Sequence, residues 1–194
     1  MRGRAFVICG VLAATALGPG PAAIAEVTYL PAVVTDDRVF PVAQTSWYSV
    51  INFSDDWHVP RMRFENGRWR QTGYHEGTDI FAEPGTPVRS ITRGRIEKLG
   101  WTFYSGWRVG IRGDDGRYWF YAHLRRFAPG LSLGQRVEPA TILGEVGNTG
   151  YGSDEGHSDE FAYHLHLGIQ ERSGAWSNPY PLVSELYRAA VRRR

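Results

Sequence analysis

The sequence predicts an all-β fold, an antiparallel β-sandwich or barrel-like single domain with a short C-terminal helix. Three observations lead there. Short runs of β-branched and aromatic residues recur, at Val88–Thr92, Trp107–Arg112, Tyr118–Ala122 and His164–Ile169, and such runs read as strands. Between them fall turn signals, at Glu83-Pro-Gly, Gly113-Asp-Asp-Gly, Ala128-Pro-Gly, Gly147-Asn-Thr-Gly and Ser177-Asn-Pro, spaced as in a sandwich or barrel. Helical signal is confined to Leu182–Val191, which runs into three arginines; cations suit a helix C-terminus.

The first 25 residues form a separate unit. Met-Arg-Gly-Arg is followed by an apolar run from Ala5 to Leu17 and by small residues ending in Ala23-Ile-Ala25. That is the pattern of an export signal cleaved after Ala25. The apolar run is shorter than the roughly 20 residues that span a bilayer, so no membrane span is expected. The lone cysteine, Cys9, lies within this signal, which leaves the mature chain with neither a disulfide nor a thiol nucleophile. Without Arg2 and Arg4 the basic count falls from 22 to 20, equal to the acidic count, and no bias towards nucleic acid remains. Residues 26–40 read as an irregular arm, 41–182 as the domain and 183–194 as the C-terminal helix and basic tail; about 170 mature residues suffice for one core.

Six histidines are present. In a strand, His164 and His166 would project to one face while Leu165 and Leu167 pack to the other. Two adjacent imidazoles suit a metal site, although alone the pair could be a polar face open to water. His75 and Asp79 offer an imidazole and a carboxylate four residues apart. With Gly77 between them and Glu83-Pro-Gly after, the segment is read as extended, which again gives one face; by itself it could be a surface His and Asp beside a turn. Together, His75, Asp79 and one histidine of the pair complete three protein ligands with a fourth position open, the arrangement of a catalytic rather than a structural zinc. His123 ends an aromatic strand and could equally be a packed core histidine. His58, His157 and the Asp55-Asp56 pair are read as structural or solvated. Trp101, Tyr104, Trp107, Tyr151 and Tyr163 are candidates for a groove lining or for the core.

The segment His75-Glu-Gly-Thr-Asp-Ile-Phe-Ala-Glu-Pro-Gly-Thr-Pro-Val resembles the first motif of the lysostaphin-like, LytM-type (M23) zinc metallopeptidases, and His164-Leu-His resembles the second. The likeness continues through Gly94-Arg-Ile, Gly106–Arg112, Tyr121-Ala-His-Leu, Gly134-Gln-Arg-Val, Ile142–Gly150 and Asn178-Pro-Tyr-Pro-Leu. It covers about Pro41 to Leu182. The resemblance implies the lysostaphin-type peptidase fold, a zinc ion held by His75, Asp79 and His166, and His123 and His164 flanking the water that the metal activates. It further implies a zinc endopeptidase acting on peptide cross-links of bacterial peptidoglycan. Two departures stand out: a long acidic loop from Asp154 to Tyr163 leads into His164, and Ala140 occupies a position where glycine is usual.

The expected product is an exported monomer of the periplasm, cell wall or extracellular space, placed there by an envelope partner or by diffusion. The alternative is a non-catalytic regulator of other wall hydrolases on the same fold, which would typically have lost one of the five site residues. A wall-cleaving D-Ala-D-Ala carboxypeptidase lineage has a different spacing of His and Asp. A pure wall-binding module would need no such cluster.

Overall fold

The computed structural model describes residues 29, 30, 32, 34–44, 50–158 and 161–192; the expected export signal and its cleavage site lie outside them. In chain order the strands are β1 (Val34–Thr35), β2 (Arg38–Val39), β3 (Pro60–Glu65), β4 (Arg68–Tyr74), β5 (Thr78–Phe81), β6 (Pro87–Arg89) and β7 (Gly94–Thr102). They continue with β8 (Gly106–Gly113), β9 (Tyr118–Phe127), β10 (Arg136–Val137), β11 (Ile142–Val146), β12 (His164–Gln170) and β13 (Trp176–Ser177), before α1 (Tyr180–Arg192), the one helix among the described residues.

Every ladder is antiparallel. The main sheet runs β10-β7-β8-β9-β11-β6, and β12 branches from β9 to pair with β5 and β13. No closed barrel forms among the described strands. β1–β2 and β3–β4 are separate two-stranded hairpins.

Alternation along the strands builds the core. Leu165 and Leu167 of β12 are fully buried, as are Ile80 of β5, Val109 and Ile111 of β8, and Trp119 and Tyr121 of β9. Each such aliphatic side chain contributes roughly 1.5–3 kcal/mol by leaving water. The Tyr121 hydroxyl is not wasted in this apolar setting, since it accepts a 2.9 Å hydrogen bond from the Ile91 N–H. Phe40 and Val42, next to the expected boundary between arm and domain, join the same core. The stretch read as irregular contains the short β1–β2 ladder.

The helix begins earlier than its apolar periodicity indicates because Asn178 caps it: the Asn178 side-chain oxygen accepts from the Tyr180 N–H at 2.9 Å, satisfying an otherwise orphaned donor. Val183 and Leu186, three apart and both buried, turn one face inward, and Tyr187 packs on Phe40 at 5.2 Å and Phe53 at 5.4 Å. The run expected as a strand over 88–92 ends at Arg89, where the Ser90 hydroxyl donates to the Thr92 carbonyl at 2.6 Å and bends the chain.

Ala140 lies in the turn between β10 and β11 with φ of 70°. This left-handed conformation costs a residue with a Cβ about 1–2 kcal/mol, which explains why glycine would suit the position. Ala140→Gly is expected to stabilise the protein by about 0.5–1 kcal/mol after allowing for the freer unfolded chain, read as a rise in midpoint on chemical denaturation.

Candidate metal centre

β12 is the middle strand of the site. It runs between β5 and β9 with His166 opposite Asp79 on one side and Ala122 on the other. One residue beyond Ala122 comes His123, and two before His166 comes His164, so the register gathers four of the five expected site residues. The fifth, His75, sits between β4 and β5. Its N–H donates to the Val59 carbonyl and its carbonyl accepts from the His58 N–H, both at 2.9 Å, so the loop before β3 clamps it in place.

Within this frame the His75 Nε2, the Asp79 Oδ1 and the His166 Nδ1 form a triangle with edges of 3.0, 3.0 and 2.9 Å. Two imidazole nitrogens and one carboxylate oxygen are a donor set that zinc favours. The triangle is slightly tighter than the edges of about 3.4 Å that tetrahedral bonds of about 2.1 Å would give, so a small opening of the side chains accommodates an ion. His75 is further oriented by Asp56: its Nδ1–H faces the Asp56 main-chain oxygen at 3.1 Å and Oδ2 at 3.0 Å. A carboxylate behind a ligating histidine fixes the tautomer that presents Nε2. Sequence reasoning missed this role of Asp56, because the pair Asp55-Asp56 reads locally as a solvated turn.

Gly77 was another missed participant. A Cβ there would lie 2.6 Å from His166 Nε2 and 2.7 Å from the Leu167 carbonyl oxygen, so the absence of a side chain is what lets the His166 ring seat beside the strand.

The electrostatics follow from burial and from one anion. Burial alone would lower the His75 pKa, but the Asp56 and Asp79 carboxylates outweigh it and hold it at about 9. Asp79 is held well below the usual carboxylate range: burial opposes its charge, and hydrogen bonds from His166 and His75 more than offset that. His123 shows the reverse. Burial, with His164 and His166 nearby, pushes it down to about 3, and burial also lowers His164. Each uses its Nδ1–H on a main-chain carbonyl, His123 on Thr149 at 2.7 Å and His164 on Ala162 at 2.8 Å, which leaves Nε2 as the free lone pair. His123 holds a left-handed φ of 61°, a strained conformation of the kind that collects at functional sites.

The open cleft over this cluster is lined by Arg61, Tyr74, Tyr104, Phe120, Tyr151 and Trp176 together with histidines. Tyr104 and Tyr151 were among the expected groove aromatics. Trp101 and Trp107 instead pack edge to face at 5.5 Å, with Trp101 Nε1–H donating to Gly152. Tyr163 is exposed. His58 stacks on Trp57 at 4.4 Å, and His157 is exposed in the acidic loop. From that loop Phe161 reaches back to within 5.1 Å of His123 and 5.3 Å of His164.

Because His75 carries a proton on Nε2 below about pH 9, a metal ion must displace it. Apparent metal affinity is therefore expected to weaken about tenfold per pH unit on going from pH 8 to 6, one proton per ion, in competition titrations. Asp56→Ala should lower metal affinity roughly 10–100-fold, and Gly77→Ala should weaken it by displacing the His166 ring; unchanged binding in both would remove them from the site.

Residues 73–179 match peptidase family M23. The chain is 47% identical over 110 residues to the L-Ala–D-Glu endopeptidase of Bacillus subtilis (strain 168), a match covering 55% of this chain and 33% of that protein. It is 39% identical over 109 residues to the glycyl-glycine endopeptidase ALE-1 of Staphylococcus capitis, covering 55% and 26%. These matches thus span about a third or less of the relatives' length. A crystal structure assigned as a glycyl-glycine endopeptidase LytM of Ruminococcus gnavus superposes with a TM-score of 0.65 at 38% identity, over 79% of this chain and 62% of that one. The catalytic domain of lysostaphin from Staphylococcus simulans gives 0.50 at 30% identity, over 66% and 89%. With a family match across more than half its length, and the fold of solved M23 peptidases around the His and Asp cluster, the chain belongs to peptidase family M23.

Proposed function

We propose that this protein is an exported, zinc-dependent endopeptidase that hydrolyses peptide cross-links of bacterial peptidoglycan. The observation that carries the reading is the cluster itself: His75, Asp79 and His166 converge at one point of an open cleft, and two further imidazoles stand beside them with their free nitrogens fixed. The relatives' names point to wall peptides, and they differ in the bond, L-Ala–D-Glu in one and glycyl-glycine in another.

His75, Asp79 and His166 would hold the zinc. A bound zinc supplies Lewis acidity, bringing the pKa of water towards neutrality and polarising the scissile carbonyl. The remaining steps fall to the chain. His123 and His164 are neutral at physiological pH, as burial dictates. A neutral Nε2 accepts the proton released by the attacking water, and once protonated it can donate to the leaving amine. An imidazole that has gained this proton can also donate from Nε2 to the developing oxyanion. Tyr104, Tyr151, Phe120 and Trp176 give the cleft walls on which an extended peptide can lie.

Purified peptidoglycan digested with the mature protein, residues 26–194, should release un-cross-linked muropeptides with zinc and none with a chelator, read by mass spectrometry. Zinc-loaded protein that leaves wall from both envelope types intact would move the assignment to a regulator. His166→Ala should lose zinc. His123→Ala should keep it while turnover falls on the order of 10²–10⁴-fold; stoichiometric zinc and full activity in His166→Ala would overturn the ligand assignment.

A further inference from the structure

We propose that Arg61 forms a carboxylate subsite in the cleft, and that the preferred substrate carries a free carboxylate on the residue flanking the scissile bond. The inference rests on the peptidase reading above and names the substrate class for that site.

Arg61 belongs to the β3–β4 hairpin, which pairs only with itself among the described strands. The base of this hairpin is nevertheless fixed, because Val59 and His58 bind the His75 backbone on both sides. Arg61 is therefore held at a defined distance from the cluster. Its Nη2 lies 3.2 Å from Asp79 Oδ2, the oxygen turned away from His75 and His166. The Arg61 side chain stays 44% exposed while Asp79 is 9% exposed, so the guanidinium stands at the mouth of the site with its partner inside.

A guanidinium has five N–H donors in a planar fork, and that single contact engages one of them. A half-exposed ion pair of this kind adds little to stability, about 0–1 kcal/mol. Its donors are more use to a ligand. The other walls of the cleft are chiefly aromatic rings and imidazoles, with Glu76 the one acidic side chain and Arg61 the one guanidinium among the described lining residues.

The hairpin extends the same chemistry. Alternation puts Arg63 on the face of β3 that bears Arg61, where it pairs with Glu65 at 3.4 Å, and beyond the register shift at Arg61/Met62 Arg70 stands opposite Arg63. Met62, Phe64 and Trp69 occupy the other face. Arg61 also precedes the residues 73–179 that match the family, so the cation comes from sequence outside the matched segment. A peptide bond to the amine of a Glu residue leaves a carboxylate a few bonds from the scissile nitrogen, where the fork can grip it bidentately; a glycine bridge offers none.

The test uses the zinc-loaded mature chain and synthetic stem peptides that differ only in carrying that carboxylate or its amide. Wild type should favour the carboxylate on the order of 10–100-fold in kcat/KM, through KM, as one or two charge-assisted hydrogen bonds allow. In Arg61→Gln the ratio between the two substrates should collapse towards one, and Arg61→Lys, which keeps the charge without the fork, should fall between. Zinc content is measured in each variant. Calorimetric binding of a non-cleavable pair gives a readout that does not depend on turnover. Equal binding of carboxylate and amide by wild type overturns the subsite, as does a ratio that survives Arg61→Gln. Discrimination in binding without cleavage of any wall peptide would support the subsite and count against the peptidase reading instead.

Discussion

The structure depends first on the pairing of β12 with β5 on one side and β9 on the other. Side chains alternate along a strand, so a slip of one residue would send His164 and His166 into the core and bring Leu165 and Leu167 out to the cleft. The two leucines, fully buried against Ile80, Trp119 and Tyr121, make that slip costly by several kcal/mol. Core packing and the geometry of the cluster are thus the same constraint seen from the two faces of one strand.

On the cleft face, charge is organised around one buried carboxylate. Asp79 lies within 3.0 Å of both His75 and His166, and its second oxygen meets Arg61. Three groups share one anion, and the division of its two oxygens separates the cluster from the rim. Asp56 adds a second carboxylate behind His75. The result is graded: His75 favours its charged form, whereas His123, shielded by Phe161 and Tyr151, does not. Burial and partner, not residue type, set these differences.

Much of this was legible in the chain. The His-x-His alternation, the even spacing of His75 and Asp79, and the turn signals are local, and local periodicity carries through to strands and faces. The resemblance to the M23 motifs then singled out His166 from the pair, which spacing alone left open. What escaped was of two kinds. Contacts between distant segments have no local signature, which is why Asp56 and Gly77 were read as a turn and a helix breaker. The β3–β4 hairpin did have one: Asn66-Gly67, both with positive φ, is a strong two-residue hairpin turn. Its strands are exposed on both faces and lack the apolar alternation by which half-buried strands are recognised. The helix start was missed for a related reason, since Asn178 acts through its side chain two residues ahead of the first turn.

The main-chain anchoring of His123 and His164 has an evolutionary reading. Their orienting partners are the carbonyls of Thr149 and Ala162, and a peptide carbonyl is present whatever residue is encoded there. At Ala162 a substitution leaves the acceptor in being, whereas the carbonyl of the buried Thr149 is placed by its own hydroxyl, which accepts from the Trp107 N–H and donates to the Leu124 carbonyl. Inheritance of the chemistry is thus guarded by backbone path, with side-chain identity left free to diversify at one anchor and tied to a hydroxyl at the other.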